Sequence, residues 1–322
     1  MIKWFKQNEV LQLVVIIVTT GLLWLPSLLH PTPMQTGHDF APLYSLLYGW
    51  LGDQPRAAVI VALVMVVVEG FLLNLTLYNH KMVGSNTLMP MWIYILAMSV
   101  VPAQLTLTPL VVANLLLLGM MSAMMVKEDL SITLDDIFNA SMMVAMAALC
   151  YTPAVMLMIA LFVIFTIHKL YNWRDWVMML LGFLAPFIVA ATVYYLCDRL
   201  YYVSYLTRMN LSDLHIAFGK AIALTWVVNG LTLIMVLLAL TSSNAGEKIL
   251  MHQRNHAVIS TMLLGGVLML LYSHLLPANP QTIALPTAYM ASGMLLGARR
   301  RLWIYNLLIV VFLILAIVAR FL

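Results

Sequence analysis

Apolar runs, each near the length of a bilayer crossing, follow one another along this chain with only short polar breaks between them. The first, "VLQLVVIIVTTGLLWLPSLL", sets the scale. A helix that crosses the hydrocarbon core needs about 20 mostly apolar residues. Its backbone must also satisfy its own polar groups, because lipid offers none. On that basis the pattern predicts about eleven transmembrane helices. They fall near 10–29, 56–78, 88–104, 108–126, 138–151, 152–170, 176–196, 219–241, 257–276, 282–298 and 301–321. The expected fold class is therefore all-α: a polytopic integral membrane protein, one helical domain over 1–322. Its outer-face segments would be 30–55 and 198–219. The least regular place lies between Cys150 and Pro153. A residue before proline is pushed out of the helical region, so Thr152 and Pro153 predict a break. One long kinked helix, two short helices and a re-entrant pair all remain compatible with the run 138–170.

The first outer break, "TGHDFAPLYSLLYGWLGDQPR", is itself patterned. With Pro42 in a first turn, Phe40, Leu43, Tyr44, Leu47, Trp50 and Leu51 recur at helical spacing. Trp and Tyr prefer the headgroup level. A short helix lying in the outer interface is expected here. The segment 198–219 carries three tyrosines in "DRLYYVSY", then Arg208, Asp213 and His215.

Composition adds the solvent. The chain is 64% hydrophobic and 9% charged, where a soluble domain carries roughly 25% charged residues. Membrane lipids are the expected surroundings. The net charge of +4 and a pI near 9.0 point to basic flanks on the cytoplasmic side rather than to nucleic acid. With the N-terminus inside, only Arg56, Arg199, Arg208, Lys220 and Arg320 lie outside, which leaves 11 of the 16 basic residues in the cytoplasm. The triplet Arg299, Arg300 and Arg301 weighs most, and it stays inside only if the break at Pro153 is kept. The first apolar run is long for a signal peptide and no small-residue cleavage site follows it, so it reads as a retained span. Cys150 and Cys197 have neither metal nor redox spacing. The 25 methionines are scattered, as packing fillers would be. No phosphate loop, dinucleotide glycine pattern or nucleophile elbow occurs, and no metal or cofactor is expected.

Few residues are left to carry chemistry. Glu69, in "VVVEGFLLNL", is the one carboxylate well inside a predicted span. Such a group is costly in hydrocarbon and marks a functional site by default. It would carry a proton, oppose a basic substrate or hydrogen-bond another helix; a protonated or paired structural Glu facing the bundle interior is the bland alternative. Asn74 and Asn229 suit interhelical hydrogen bonds. Asp39 beside His38 has the chemistry of a general base, or else it stabilises the start of the interfacial helix. Asp39 and Asp53 do not form a direct pair, since the helix between them spans roughly 20 Å. In "KEDLSITLDDIF", Glu128, Asp129, Asp135 and Asp136 read as a solvated inner loop. Neighbouring helical residues do not share a face, which weakens any metal reading. His252 and His256 have i, i+4 spacing but lack the Glu of a zinc-protease pattern.

Two resemblances bear on function. Through "VVANLLLLGMMSAMM", "IFNA" at 137–140, Asn114, Tyr151, Pro153, Trp173, Trp176, Gly182 and Pro186, the chain resembles an uncharacterised family of polytopic inner-membrane proteins of Bacteroidota. That resemblance implies a location, the bacterial inner membrane, and no activity. More loosely, "HDFAPLYSLLYGWLGDQPRAAVIVALV" is similar to the start of integral-membrane glycosyltransferases that use polyprenyl-phosphate-linked sugars. The second resemblance implies Asp39 as base and Arg208 or Lys220 as phosphate partners, Arg through its forked donors. The expected reading is an envelope transferase working at the outer face on a polyprenyl-phosphate-linked sugar, with aromatics such as Tyr44 placing the lipid or sugar. The alternatives are a transporter or flippase coupled through Glu69, and a non-catalytic partner of envelope proteins.

Overall fold

Proline opens four of the ten described α-helices. In the computed structural model, which describes residues 9–34, 42–83, 87–101, 105–126, 132–198, 250–272 and 280–297, the chain begins with α1 (Glu9–Leu29). There follow α2 (Pro42–Leu51), α3 (Pro55–Asn79), α4 (Met89–Met98) and α5 (Pro109–Met124). Each of the last four has a proline at its first or second position. There the missing N–H costs nothing and the fixed φ favours the helix. Next come α6 (Leu134–Cys150), a 3-10 turn (Thr152–Met156), α7 (Leu157–His168) and α8 (Trp173–Leu196). After α9 (Leu250–Tyr272), a second 3-10 turn (Pro280–Ile283) leads into α10 (Ala284–Gly297). The runs expected at 219–241 and 301–321, the outer segment after Asp198, and the arginine triplet lie outside the described residues.

The break at Pro153 is present. α6 ends at Cys150 and a 3-10 turn separates it from α7, so 138–170 holds two helices rather than one kinked rod. The other internal prolines break nothing: Pro26 lies within α1 and Pro186 within α8. The short helix expected around Pro42 is present as α2. The acidic pair near 135 is a helix start, not part of a loop. Thr133 Oγ1 accepts from the Asp136 N–H, and Asp136 Oδ2 accepts from the Thr133 N–H at 2.9 Å. This reciprocal box satisfies two donors that would otherwise be orphaned.

Among the described residues, three helices are long and apolar enough to cross a membrane, at Val10–Leu29, Pro55–Asn79 and Trp173–Leu196. Their outward faces show why lipid suits them. α1 exposes Val10, Ile17 and Leu22, α3 exposes Ile60, Val64 and Phe71, and α8 exposes Ile188, Val189 and Leu196. Polar Gln12, Glu69 and Asp175, from the same three helices, are buried. A soluble protein shows the reverse pattern.

Three helices between them, α4, α5 and α7, are shorter than the apolar runs implied. The run 88–104 becomes the ten-residue α4, about 15 Å long, which then gives way to irregular chain. Pro102 and Pro109 lie in and after that run and cannot donate to a helix. Nine of the ten residues of α4 are buried, as befits a helix enclosed on all sides. It packs against α1, α3 and α10. α6 lies between α5 and α8, and α7 lies against α9. Gly182 on α8 allows the closest approach. A Cβ there would meet Ser141 Oγ, and the Phe138 carbonyl oxygen at 2.5 Å.

Candidate functional site

The short α4 leaves non-helical backbone inside the packed domain. Ser99, Val100, Val101, Leu105, Thr106, Leu107 and Thr108 are all buried. Irregular chain at that depth must find partners in protein or line a cavity. Side chains from distant elements supply several of them. Gln281 Nε2 donates to the Met98 carbonyl at 3.1 Å. Trp24 Nε1 donates to Ser99 Oγ at 2.9 Å. Tyr44 Oη donates to the Leu107 carbonyl at 2.7 Å. At the other end of α4, Gln12 Oε1 accepts from the Leu88 N–H at 2.6 Å.

One polar seam runs from this irregular joint into the middle of α3. Glu69 has no exposed surface, and its Oε2 accepts from Tyr94 Oη at 2.7 Å. The side chain of Asn114, on α5, lies beside that hydroxyl, and its Nδ2 reaches Met98 Sδ of α4 at 3.6 Å. Asn114 Nδ2 in turn donates to the Gln281 carbonyl at 3.1 Å, one turn ahead of α10. Thr108 Oγ1 reaches Gln281 Oε1 at 3.4 Å. The seam therefore joins α3, α4, α5 and the start of α10 through buried side chains.

Two atoms on the seam have no hydrogen-bond partner among the described residues: Glu69 Oε1 and Asn114 Oδ1. Both are acceptors. The helices packed against α3 are α1, α2, α4 and α5, and none of them contains a lysine, arginine or histidine. Gly70, next to Glu69, lets α4 come close: a Cβ there would lie 3.2 Å from Met91 Cγ. A buried carboxyl with no cation on the helices packed against it, beside an unfilled amide oxygen, is an arrangement that structural packing alone does not require.

Of the residues expected to carry chemistry and described by the structure, Glu69 is the one hydrogen-bonded into this seam. Asn74 is half-buried on α3, its Oδ1 without a partner among the described residues. Tyr44 is fully buried on α2 and hydrogen-bonded to Leu107, while Trp50 on the same helix is 86% exposed. Burial, with a smaller push from Tyr48, raises the Tyr44 phenol above the usual tyrosine range. Tyr194 Oη donates to the Pro42 carbonyl at 3.1 Å, which brings the end of α8 to the start of α2. His256 lies against Tyr289, whose hydroxyl is 3.0 Å from Nδ1. Asp39, His38, Arg208, Lys220, Asn229, Glu128 and Asp129 lie outside the described residues. Sequence reasoning passed over Tyr94, Gln281 and Gln12. The signal was there for the two glutamines, each a lone amide in or beside an apolar run.

Compared with known proteins, the chain matches no family model, no curated protein and no solved structure.

Proposed function

We propose that this chain is a multi-pass membrane transporter or flippase in which Glu69 is the charge that couples transport. The observation that carries the reading is the buried Glu69 carboxyl, held on one oxygen by Tyr94 and without a partner among the described residues on the other. Intramembrane carboxylates of this kind mark ion and substrate pathways. Helix ends inside a membrane domain support the same class, since transporters build their sites where spans are interrupted. α4 is such an interrupted element, and the seam connects it to the start of α10. The topology that goes with this reading has about eleven spans, an N-terminus in the cytoplasm and the bacterial inner membrane as location. The 11-to-5 division of basic residues supports that orientation.

The transferase reading ranks second. It rests on Asp39, His38, Arg208 and Lys220, and on Tyr44, whose hydroxyl is taken by the Leu107 carbonyl. Unchanged envelope glycans in an Asp39→Asn strain at normal protein levels would remove it.

The deciding experiment reconstitutes the full chain in proteoliposomes. Charge movement on a solid-supported membrane is recorded under pools of sugars, amino acids, organic anions and organic cations, and translocation of fluorescent lipid is followed by dithionite quenching. The expected result is activity in at least one arm, lost in Glu69→Gln with assembly intact. A wild-type chain silent in every arm overturns the proposal.

A further inference from the structure

We infer that Glu69 loads and releases a proton, and that Tyr94 and Asn114 pass its charge state to the joint at Gln281 where α10 begins. The inference rests on the transporter reading and names its coupling ion.

The unfilled hydrogen-bonding capacity of the seam decides between ions. Tyr94 gives its hydrogen to Glu69 Oε2, and Asn114 Nδ2 gives one to the Gln281 carbonyl. What remains on the seam, among the described side chains, are two acceptors, Glu69 Oε1 and Asn114 Oδ1. A hard metal cation takes several oxygen ligands at once, and two do not make a shell. A proton needs only one lone pair and no added volume, which fits side chains with essentially no exposed surface. Among the described residues, the packed helix α4 meets Glu69 with Tyr94, and α2 carries Tyr44 and Tyr48 as its titratable residues. The helix α5 carries no titratable residue, and α1 carries only Glu9, at its first position.

Loading is a simple transfer. Hydronium approaches Oε1, a new O–H bond forms there, and water leaves. The carboxylate charge that held the Tyr94 hydrogen is gone. The hydroxyl is then held less firmly at its place beside the Asn114 side chain. Asn114 Nδ2 grips the Gln281 carbonyl and reaches Met98 Sδ, and Gln281 grips the last carbonyl of α4. A shift of the Tyr94 side chain against Asn114 is thus felt at the junction of α4 with α10. Release reverses each step.

Infrared difference spectroscopy of the full chain in lipid nanodiscs tests this without any transported solute. On acidification the wild type gains a carboxylic C=O band that Glu69→Gln lacks. Tyr94→Phe keeps the band and moves its midpoint by roughly one to two pH units, the size expected for one hydrogen bond to a charged group. Replacing sodium by choline leaves the midpoint in place. Amide hydrogen exchange across 280–283 changes with pH in the wild type and is flat in Glu69→Gln. If Glu69→Gln does not assemble, Glu69→Asp must displace the band's frequency. A band that survives Glu69→Gln, a midpoint that follows sodium, an unmoved midpoint in Tyr94→Phe, or pH-independent exchange at 280–283 overturns the inference. Silent proteoliposomes with a titrating Glu69 would sink the transporter reading alone; transport driven by sodium would sink the proton alone.

Discussion

The Tyr94 hydroxyl points its hydrogen at Glu69 Oε2 across 2.7 Å, and neither side chain has any surface exposed. The pair fixes α3 against α4 at the level where Gly70 lets the two helices approach. Removing the hydroxyl leaves a buried carboxyl oxygen without its donor. Tyr94→Phe is expected to lower stability by about 1–3 kcal/mol, read as thermal unfolding of the detergent-solubilised protein. Glu69→Gln keeps an acceptor for Tyr94 and should cost less. The double variant should be less damaging than the two effects added, because each single change weakens the same shared interaction. Independent, additive effects would mean that the hydrogen bond does not tie these helices together.

Gly182 and Gly70 make opposite predictions from the same kind of contact. A Cβ on Gly182 would collide with Ser141 Oγ and with the Phe138 carbonyl, which is backbone and has nowhere to go. Gly182→Ala must push α8 off α6, at about 1–3 kcal/mol for overpacking. A Cβ on Gly70 meets the flexible Met91 side chain at 3.2 Å, and replacing a mid-helix glycine lowers the entropy lost on folding. Gly70→Ala is expected to be near neutral. Expression and thermal stability of the two variants, measured side by side, decide this; a neutral Gly182→Ala would show that α8 is free to shift.

Asn255 supports a different joint. Its Oδ1 accepts from the Val126 N–H at 2.8 Å and its Nδ2 donates to the Val126 carbonyl at 3.0 Å. One amide thus satisfies both polar groups of a residue just past the end of α5. Asn255→Leu deprives both and is expected to destabilise by about 1–3 kcal/mol. Asn255→Asp keeps the acceptor and loses the donor, so it should fall between the two. Equal stability of the leucine and wild-type proteins would refute the clamp.

The helices were legible because lipid imposes one rule on every span: apolar length. That rule located α1, α3 and α8 nearly to their ends, and the proline rule located α2 and the break at Pro153. It failed where protein rather than lipid is the neighbour. The run 88–104 is apolar enough to cross, yet α4 stops after ten residues, because Gln281 takes its last carbonyl and Trp24 and Tyr44 bond the chain just beyond. No local pattern announces partners that far away in sequence. Glu69 stood out by charge alone. Tyr94 did not, because a tyrosine in an apolar run also fits a membrane interface, and its role depends on helix pairing. The capping box of α6 was readable as Thr133 with Asp136 three positions on, but a cluster of four acids looks first like solvated loop.

Tyr44 yields a prediction about alkaline stability. Burial raises its phenol above the ordinary tyrosine range, and the hydroxyl donates to the Leu107 carbonyl. In the unfolded chain the same group ionises near pH 10. Above that pH the folded state holds a proton that the unfolded state has released. The folded state binds more protons there, so stability falls as pH rises. Below it the contribution is complete and independent of pH. Tyr44→Phe removes the hydrogen bond to Leu107 and the alkaline slope together. It should therefore be less stable than wild type at neutral pH, with the gap narrowing as pH climbs past about 10. Thermal unfolding of both proteins from neutral to strongly alkaline buffer measures it. Parallel curves at every pH would mean that the phenol ionises as freely in the fold as outside it, and that α2 is not held to the irregular chain by this bond.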